Sequence, residues 1–197
     1  MGGADKTALP FGGTTVLDHL LDSLPATWPT VCVGEPRPTR RDVGWTRESP
    51  PGGGPVAGMA AGLARVATPV VVLLAGDLPF AGPAAAHLAS VLVGPPAPST
   101  PAVAEISRHM WRELSATSEG EEAAGVLAVD GEGRAQPLLA AYRTDTLRAA
   151  LPAQSRGARL RDVIARVTVR RVPTDDLACL DVDTPEALAE ALGRLET

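Results

Sequence analysis

Four stretches of this sequence place charged or glycine-rich residues where chemistry could be done. Asp77 follows the apolar run VVVLLAG and precedes Leu78-Pro79. A carboxylate there can hold a nucleotide-borne Mg²⁺, because that ion takes one or two carboxylates and fills its other sites with phosphate oxygens and water. Taken alone, G-D-L-P is more commonly a turn whose aspartate caps a local amide. The opening Gly2-Gly3-Ala4-Asp5-Lys6 sets an ammonium beside two glycines. Lys6 could neutralise a polyphosphate as a compact charge with three donors, although a solvated lysine is the commoner meaning.

PPGGGPVAG, residues 50–58, is a glycine cluster that feeds the start of an expected helix. Backbone amides at such a place can approach a base, ribose or phosphate closely, and a plain connecting loop fits the composition equally well. It is not a G-x-x-x-x-G-K-[ST] phosphate loop, since no lysine follows. Asp181-Val182-Asp183-Thr184-Pro185 puts two same-face carboxylates at the end of an expected strand, immediately before a helix. Asp183 is the weaker metal candidate, and helix initiation accounts for most of the stretch.

Nucleophilic catalysis has little to work with. His19 and His87 fall inside expected helices, where packed or surface roles are commoner than catalysis, and His109 lies in a segment of unclear pattern. Cys32 and Cys179 have apolar surroundings, no C-x-x-C spacing and no electropositive neighbours, so they read as buried free thiols of a reducing compartment.

These residues need a scaffold. With 197 residues, 45% of them hydrophobic, the chain has enough apolar surface for a single domain with a real core. A formal net charge of -5 gives no general attraction for nucleic acid or an acidic membrane. No stretch reaches the roughly 18 apolar residues that span a bilayer, and no signal-like pattern is present, so a cytoplasmic location is expected. With only 3% aromatics, the core must be built from Val, Leu and Ala.

Helical spacing at Val16, Leu17, Leu20, Leu21 and Leu24 follows a cap at Thr14 or Thr15. TVCVG, VVVLLAG, VLAVD, QPLLAAYR, VTVRRV and CLDVD read as strands. VAGMAAGLARV, AGPAAAHLASVLV, DTLRAAL, ARLRDVIARV and TPEALAEALGRL read as helices, the last with Thr184 as N-cap and Pro185 in its first turn. This alternation predicts an α/β, three-layer, Rossmann-like architecture with a mostly parallel sheet, whose ligands collect at the carboxyl ends of the strands. Residues 104–122 mix apolar, aromatic and acidic residues without a firm period and read as an insertion or loop.

In order, M-G-G-A-D-K, L-P-F-G-G, G-P-V-A-G-M, A-G-D-L-P-F, Q-P-L-L-A-A-Y and D-V-D-T-P-E-A-L resemble the nucleotidyltransferase family that includes the molybdenum cofactor guanylyltransferases. The resemblance implies a Mg²⁺-dependent enzyme that transfers GMP from GTP to molybdopterin-bound molybdenum and releases pyrophosphate. It implies Lys6 as phosphate contact, Asp77 as metal ligand, and Gly2 and Gly3 as part of the nucleotide loop. Glu48 falls where the family has a nucleotide-contacting aspartate, and Gly34 where some members have an asparagine. Asp183 is the secondary candidate for metal or pterin. Molybdoenzyme maturation proteins are the implied protein partners.

Family members usually open with a hydrophobic strand and a loop of the form L-A-G-G-x-S-x-R-M-G, and this sequence begins at the Met of that pattern. The expectation is therefore a single nucleotidyltransferase domain over 1–197 that is incomplete at its front. Cytidylyl transfer to the same cofactor, transfer to another phosphorylated acceptor, and a non-catalytic nucleotide- or pterin-binding module are the alternative readings.

Overall fold

The structure, a computed structural model, describes residues 5–94 and 123–195. Gly2, Gly3, His109 and the 104–122 segment, with what the sequence predicts for them, lie outside these residues. A 3-10 turn, Lys6–Ala8, leads into a small antiparallel hairpin of β1 (Pro10–Phe11) and β2 (Thr14–Thr15). Helix α1 (Val16–Ser23) follows, and the Thr15 hydroxyl accepts from the Asp18 amide, as the capping pattern predicts. Strands β3 (Val31–Val33) and β4 (Gly44–Thr46) pair in parallel.

Helix α2 (Pro55–Leu63), strand β5 (Val70–Leu74) and helix α3 (Gly82–Val93) come next. The second half holds β6 (Gly125–Val129), β7 (Ala135–Arg143), α4 (Thr144–Ala150), α5 (Leu160–Ile164), β8 (Val169–Pro173) and α6 (Pro185–Gly193). The larger described sheet has the order β5-β7-β6-β8.

Strand periodicity produces the three layers. On β7, Leu139 and Ala141 join one core cluster with Leu17, Leu21 and Leu88 of α1 and α3. The intervening Ala140 and Tyr142 join the opposite cluster with Val56 and Leu63 of α2, Leu147 of α4 and Val163 of α5. Successive side chains leave a strand on opposite faces, so an unbroken apolar run needs helices on both sides. The α/β, Rossmann-like expectation holds. A third cluster of Phe11, Val16, Val182 and Ala191 ties the first hairpin to α6.

Two sequence expectations are corrected. The sheet is mixed rather than mostly parallel: β7 runs antiparallel to both β5 and β6, while β6 and β8 pair in parallel. The cause is local, because the short 130–134 turn joins β6 directly to β7 where a parallel pair would need a crossover. CLDVD is not a strand; Asp176–Cys179 forms a 3-10 turn, and the extended segment after it is tied to the sheet edge by the Val182 amide. One backbone bond fastens that segment without building a ladder.

Candidate active site

Asp77 lies just past the carboxyl end of β5, where the chain turns through Ala75 and Gly76. The Val182 amide donates to the Asp77 carbonyl at 3.0 Å, and Val182 is fully buried. That bond brings Asp181 and Asp183, which flank Val182, to the same edge of the sheet. Burial pushes the Asp77 carboxyl up from the ordinary aspartate range, and the Asp183 and Asp181 charges push it the same way. Lys6 and a backbone hydrogen bond oppose them.

Lys6 reaches this edge from the 3-10 turn. Asp5 caps that turn by accepting from the Thr7 amide, and Arg37 pairs with Asp5 and donates to the Thr7 hydroxyl. The Lys6 ammonium is ion-paired with Asp183, whose hydrogen bond raises its pKa. Gly76 lets the turn sit this close: a Cβ there would lie 3.0 Å from the Thr7 methyl. Two features far apart in sequence, the Lys6 turn and the Asp181–Asp183 segment, therefore converge on Asp77.

A cavity of about 630 Å³ opens beside them, lined among others by Asp77, Asp181, Asp183, Asp130, Arg134 and Gln136. The last three were not singled out as site residues from the sequence. They belong to the β6–β7 hairpin, and the turn D-G-E-G after the apolar strand VLAVD was the available signal.

Two expected nucleotide contacts are placed elsewhere. Glu48 organises the glycine cluster, accepting from the Gly52 amide at 2.9 Å; its own backbone amide and that of Gly52 hold its carboxyl below the usual range. The Gly34 amide donates to the Thr46 carbonyl and extends the β3–β4 pairing. Neither residue lines the cavity beside Asp77. The glycine cluster does feed the start of α2, with Gly54 as N-cap and Pro55 following.

Of the remaining candidates, Cys179 borders the cavity and the others are not among its lining residues. The His19 ring meets Phe11 and Phe80 edge-on, with centroids 4.9 and 5.6 Å away, and burial lowers its pKa. His87 is exposed on α3. Cys32 and Cys179 are free and half-buried rather than fully buried. Burial raises both thiols, so neither is primed as a thiolate.

The donor set suits a hard cation that arrives with a ligand. Asp77 offers carboxylate oxygens under electrostatic pressure from neighbouring carboxylates, a pressure that a divalent ion would relieve. Among the described residues no cluster of His, Cys, Asp or Glu is tight enough to cage a metal alone.

Residues 1–173 match the MobA-like NTP transferase domain. The chain belongs to this family. The MobA-like fold agrees with solved structures of low sequence identity. Molybdopterin-guanine dinucleotide biosynthesis protein A from Archaeoglobus fulgidus is similar with a TM-score of 0.67 and 19% identity, over 98% of this chain and 92% of that one. The 2-C-methyl-D-erythritol 4-phosphate cytidylyltransferase from Thermus thermophilus gives 0.65 and 17%, over 98% and 94%. A Mycobacterium tuberculosis H37Rv protein solved in complex with manganese gives 0.56 and 20%, over 97% and 93%. No curated protein matches the sequence. As a MobA-like NTP transferase, the chain is a nucleotidyltransferase with a nucleoside triphosphate substrate. No helix among the described residues is long and apolar enough to cross a membrane.

Proposed function

We propose that this nucleotidyltransferase transfers GMP from Mg²⁺-bound GTP to the terminal phosphate of molybdopterin-bound molybdenum, in the cytoplasm, and releases pyrophosphate. The observation that carries the reading is the convergence of Lys6, Asp77 and Asp183 at the carboxyl edge of β5, held by the Val182–Asp77 backbone bond.

An oxygen of the acceptor phosphate forms the new bond to the α-phosphorus of GTP. The bond from that phosphorus to the bridging oxygen of the β-phosphate breaks, and pyrophosphate leaves with the electron pair. The nucleophile is already anionic, so positioning and charge neutralisation are the main demands and no general base is needed. Asp77, with Asp183 in support, would hold Mg²⁺, which supplies charge neutralisation on the triphosphate. Lys6 exchanges Asp183 for a phosphate oxygen when nucleotide enters. Gly2 and Gly3 would belong to the nucleotide loop, as the family resemblance implies, while Glu48 acts by shaping the glycine cluster before α2.

Cytidylyl transfer is the second reading, favoured by the nearly equal likeness to the Thermus cytidylyltransferase. Competition of GTP against CTP with molybdopterin as acceptor tests the choice: GTP preference is expected, and CTP preference overturns the guanylyl assignment. Unchanged transfer in Asp77→Ala would remove the assignment of the site. Handover of the product to a molybdoenzyme maturation protein completes the proposal.

A further inference from the structure

The cavity beside Asp77 is lined by a large excess of carboxylates, with Arg134 as the basic side chain among its lining residues. Such a wall repels an anionic second substrate unless a cation is presented to it. Arg134 is presented in an unusually defined way. Asp130, at the end of β6, is buried to 7% exposure, and both of its oxygens are used. Oδ1 accepts from the amides of Glu132 at 3.1 Å and Arg134 at 2.9 Å. Oδ2 accepts from Arg134 Nε at 2.9 Å and from Gln136 Nε2 at 3.1 Å.

Glu132 takes a second guanidinium nitrogen, Nη1, at 2.9 Å. The guanidinium is thus held at two positions while its side chain remains 69% exposed. Carboxylates on two residues orient the exposed guanidinium through Nε and Nη1, and Nη2 is left for a ligand. A planar fork of fixed orientation suits the paired oxygens of a phosphate.

The hairpin is also fixed relative to the opposite wall. The Gly131 amide donates to Asp176 Oδ1 at 2.6 Å, and a Cβ on Gly131 would lie 2.8 Å from Asp176 Oδ2. Asp176 starts the turn that leads to Asp181 and Asp183. The two walls are therefore joined at their base, with the nucleotide-side groups on one and Arg134 on the other.

We propose that the β6–β7 hairpin is the acceptor wall of the cleft, and that Arg134 binds the phosphate of the acceptor, oriented by Asp130 and Glu132. This rests on the nucleotidyl-transfer reading above. No new bond chemistry is involved: Arg134 donates hydrogen bonds to non-reacting oxygens of the attacking phosphate and leaves one oxygen aimed at the α-phosphorus.

The test uses the full chain, with GTP and CTP as donors and two phosphate monoesters, molybdopterin and 2-C-methyl-D-erythritol 4-phosphate, as acceptors. Pyrophosphate release gives KM for each substrate, and calorimetry gives nucleotide binding without an acceptor. Arg134→Ala is expected to raise the acceptor KM at least ~10-fold while nucleotide binding stays within about twofold, the loss of one charge-assisted bidentate contact. Arg134→Lys, which keeps the charge and loses the fork, falls between the two. Equal loss of nucleotide and acceptor affinity, or no change in acceptor KM, overturns the proposal. So does an enzyme that binds nucleotide and uses neither phosphate monoester. Absence of nucleotide binding by the unaltered protein would instead overturn the nucleotidyl-transfer site itself.

Discussion

The Val182 amide donates to the Asp77 carbonyl at 3.0 Å, and through that bond the segment bearing Asp181 and Asp183 is fastened to the end of β5. Burial raises the proton affinity of Asp77, and the Asp183 and Asp181 charges push it the same way. Lys6 pairs with Asp183 at the same edge, and a carboxylate perturbed beside specific charge partners marks a candidate functional site.

Asp77→Asn should therefore separate activity from stability. Transfer activity falls by ~10²-fold or more if a principal charge-stabilising group is lost. The folded pKa of Asp77 lies above its unfolded value, so the folded state binds the proton more tightly and Asp77 favours folding more as pH falls through the raised pKa. At pH 7 the variant should melt at or above the temperature of the unaltered protein. The difference should vanish in acid, and a pH series of melting curves checks it.

Lys6→Met tests the phosphate contact. The Lys6–Asp183 pair is solvent-accessible, so its removal should barely move the melting temperature at neutral pH. What stability it gives is present below the ordinary lysine pKa and is lost as pH rises through the raised folded value. The KM for nucleotide should nevertheless rise by at least ~10-fold, the scale of one charge-assisted contact to phosphate. Steady-state kinetics at fixed acceptor concentration supplies the measurement.

Gly76→Ala probes placement. Its Cβ would press on the Thr7 methyl at 3.0 Å, with Leu17 Cδ1 in ordinary contact at 3.8 Å. The Lys6 turn must give way by a few tenths of an ångström, and kcat/KM should fall by ~10-fold, since small displacements of positioning groups are expensive in rate. Restored activity in Gly76→Ala combined with Thr7→Ser, which deletes the obstructing methyl, would confirm the cause.

Gly82→Ala addresses stability away from the site. A Cβ there would lie 2.1 Å from Ser23 Oγ and 2.6 Å from the Ser23 carbonyl oxygen, at the crossing of the end of α1 with the start of α3. Overpacking of this kind costs about 1–3 kcal/mol. Thermal unfolding followed by circular dichroism should show a lower midpoint, while the KM for nucleotide stays unchanged.

Much of the fold was legible in the sequence because periodicity and caps report local physics. Thr15 and Thr184 cap the helices their positions predict, and VVVLLAG and QPLLAAYR are strands. Strand direction was less legible, since an apolar run says that both faces are covered and not which neighbour pairs with it. The D-G-E-G turn that reverses the chain between β6 and β7 carried that information. In the site, Lys6 and Asp77 stand near one another at one edge, and both belong to motifs that the sequence sets apart. The Asp130–Arg134–Gln136 clasp did not stand out, because its members look like ordinary turn and strand residues until the hairpin folds them together. Glu48 stands before the glycine cluster as the motif order requires, yet its carboxylate is used by that loop's own amide.

Lys6 and Asp183 are separated by 177 positions and meet side chain to side chain. In synthesis the lysine precedes the aspartate by 177 residues, so their contact forms only after the intervening elements have been made. Most of the core can pack before then, domain-wise, as nascent chains do. The charge pattern of the cleft therefore depends on a contact that closes across the whole fold and not within one local element.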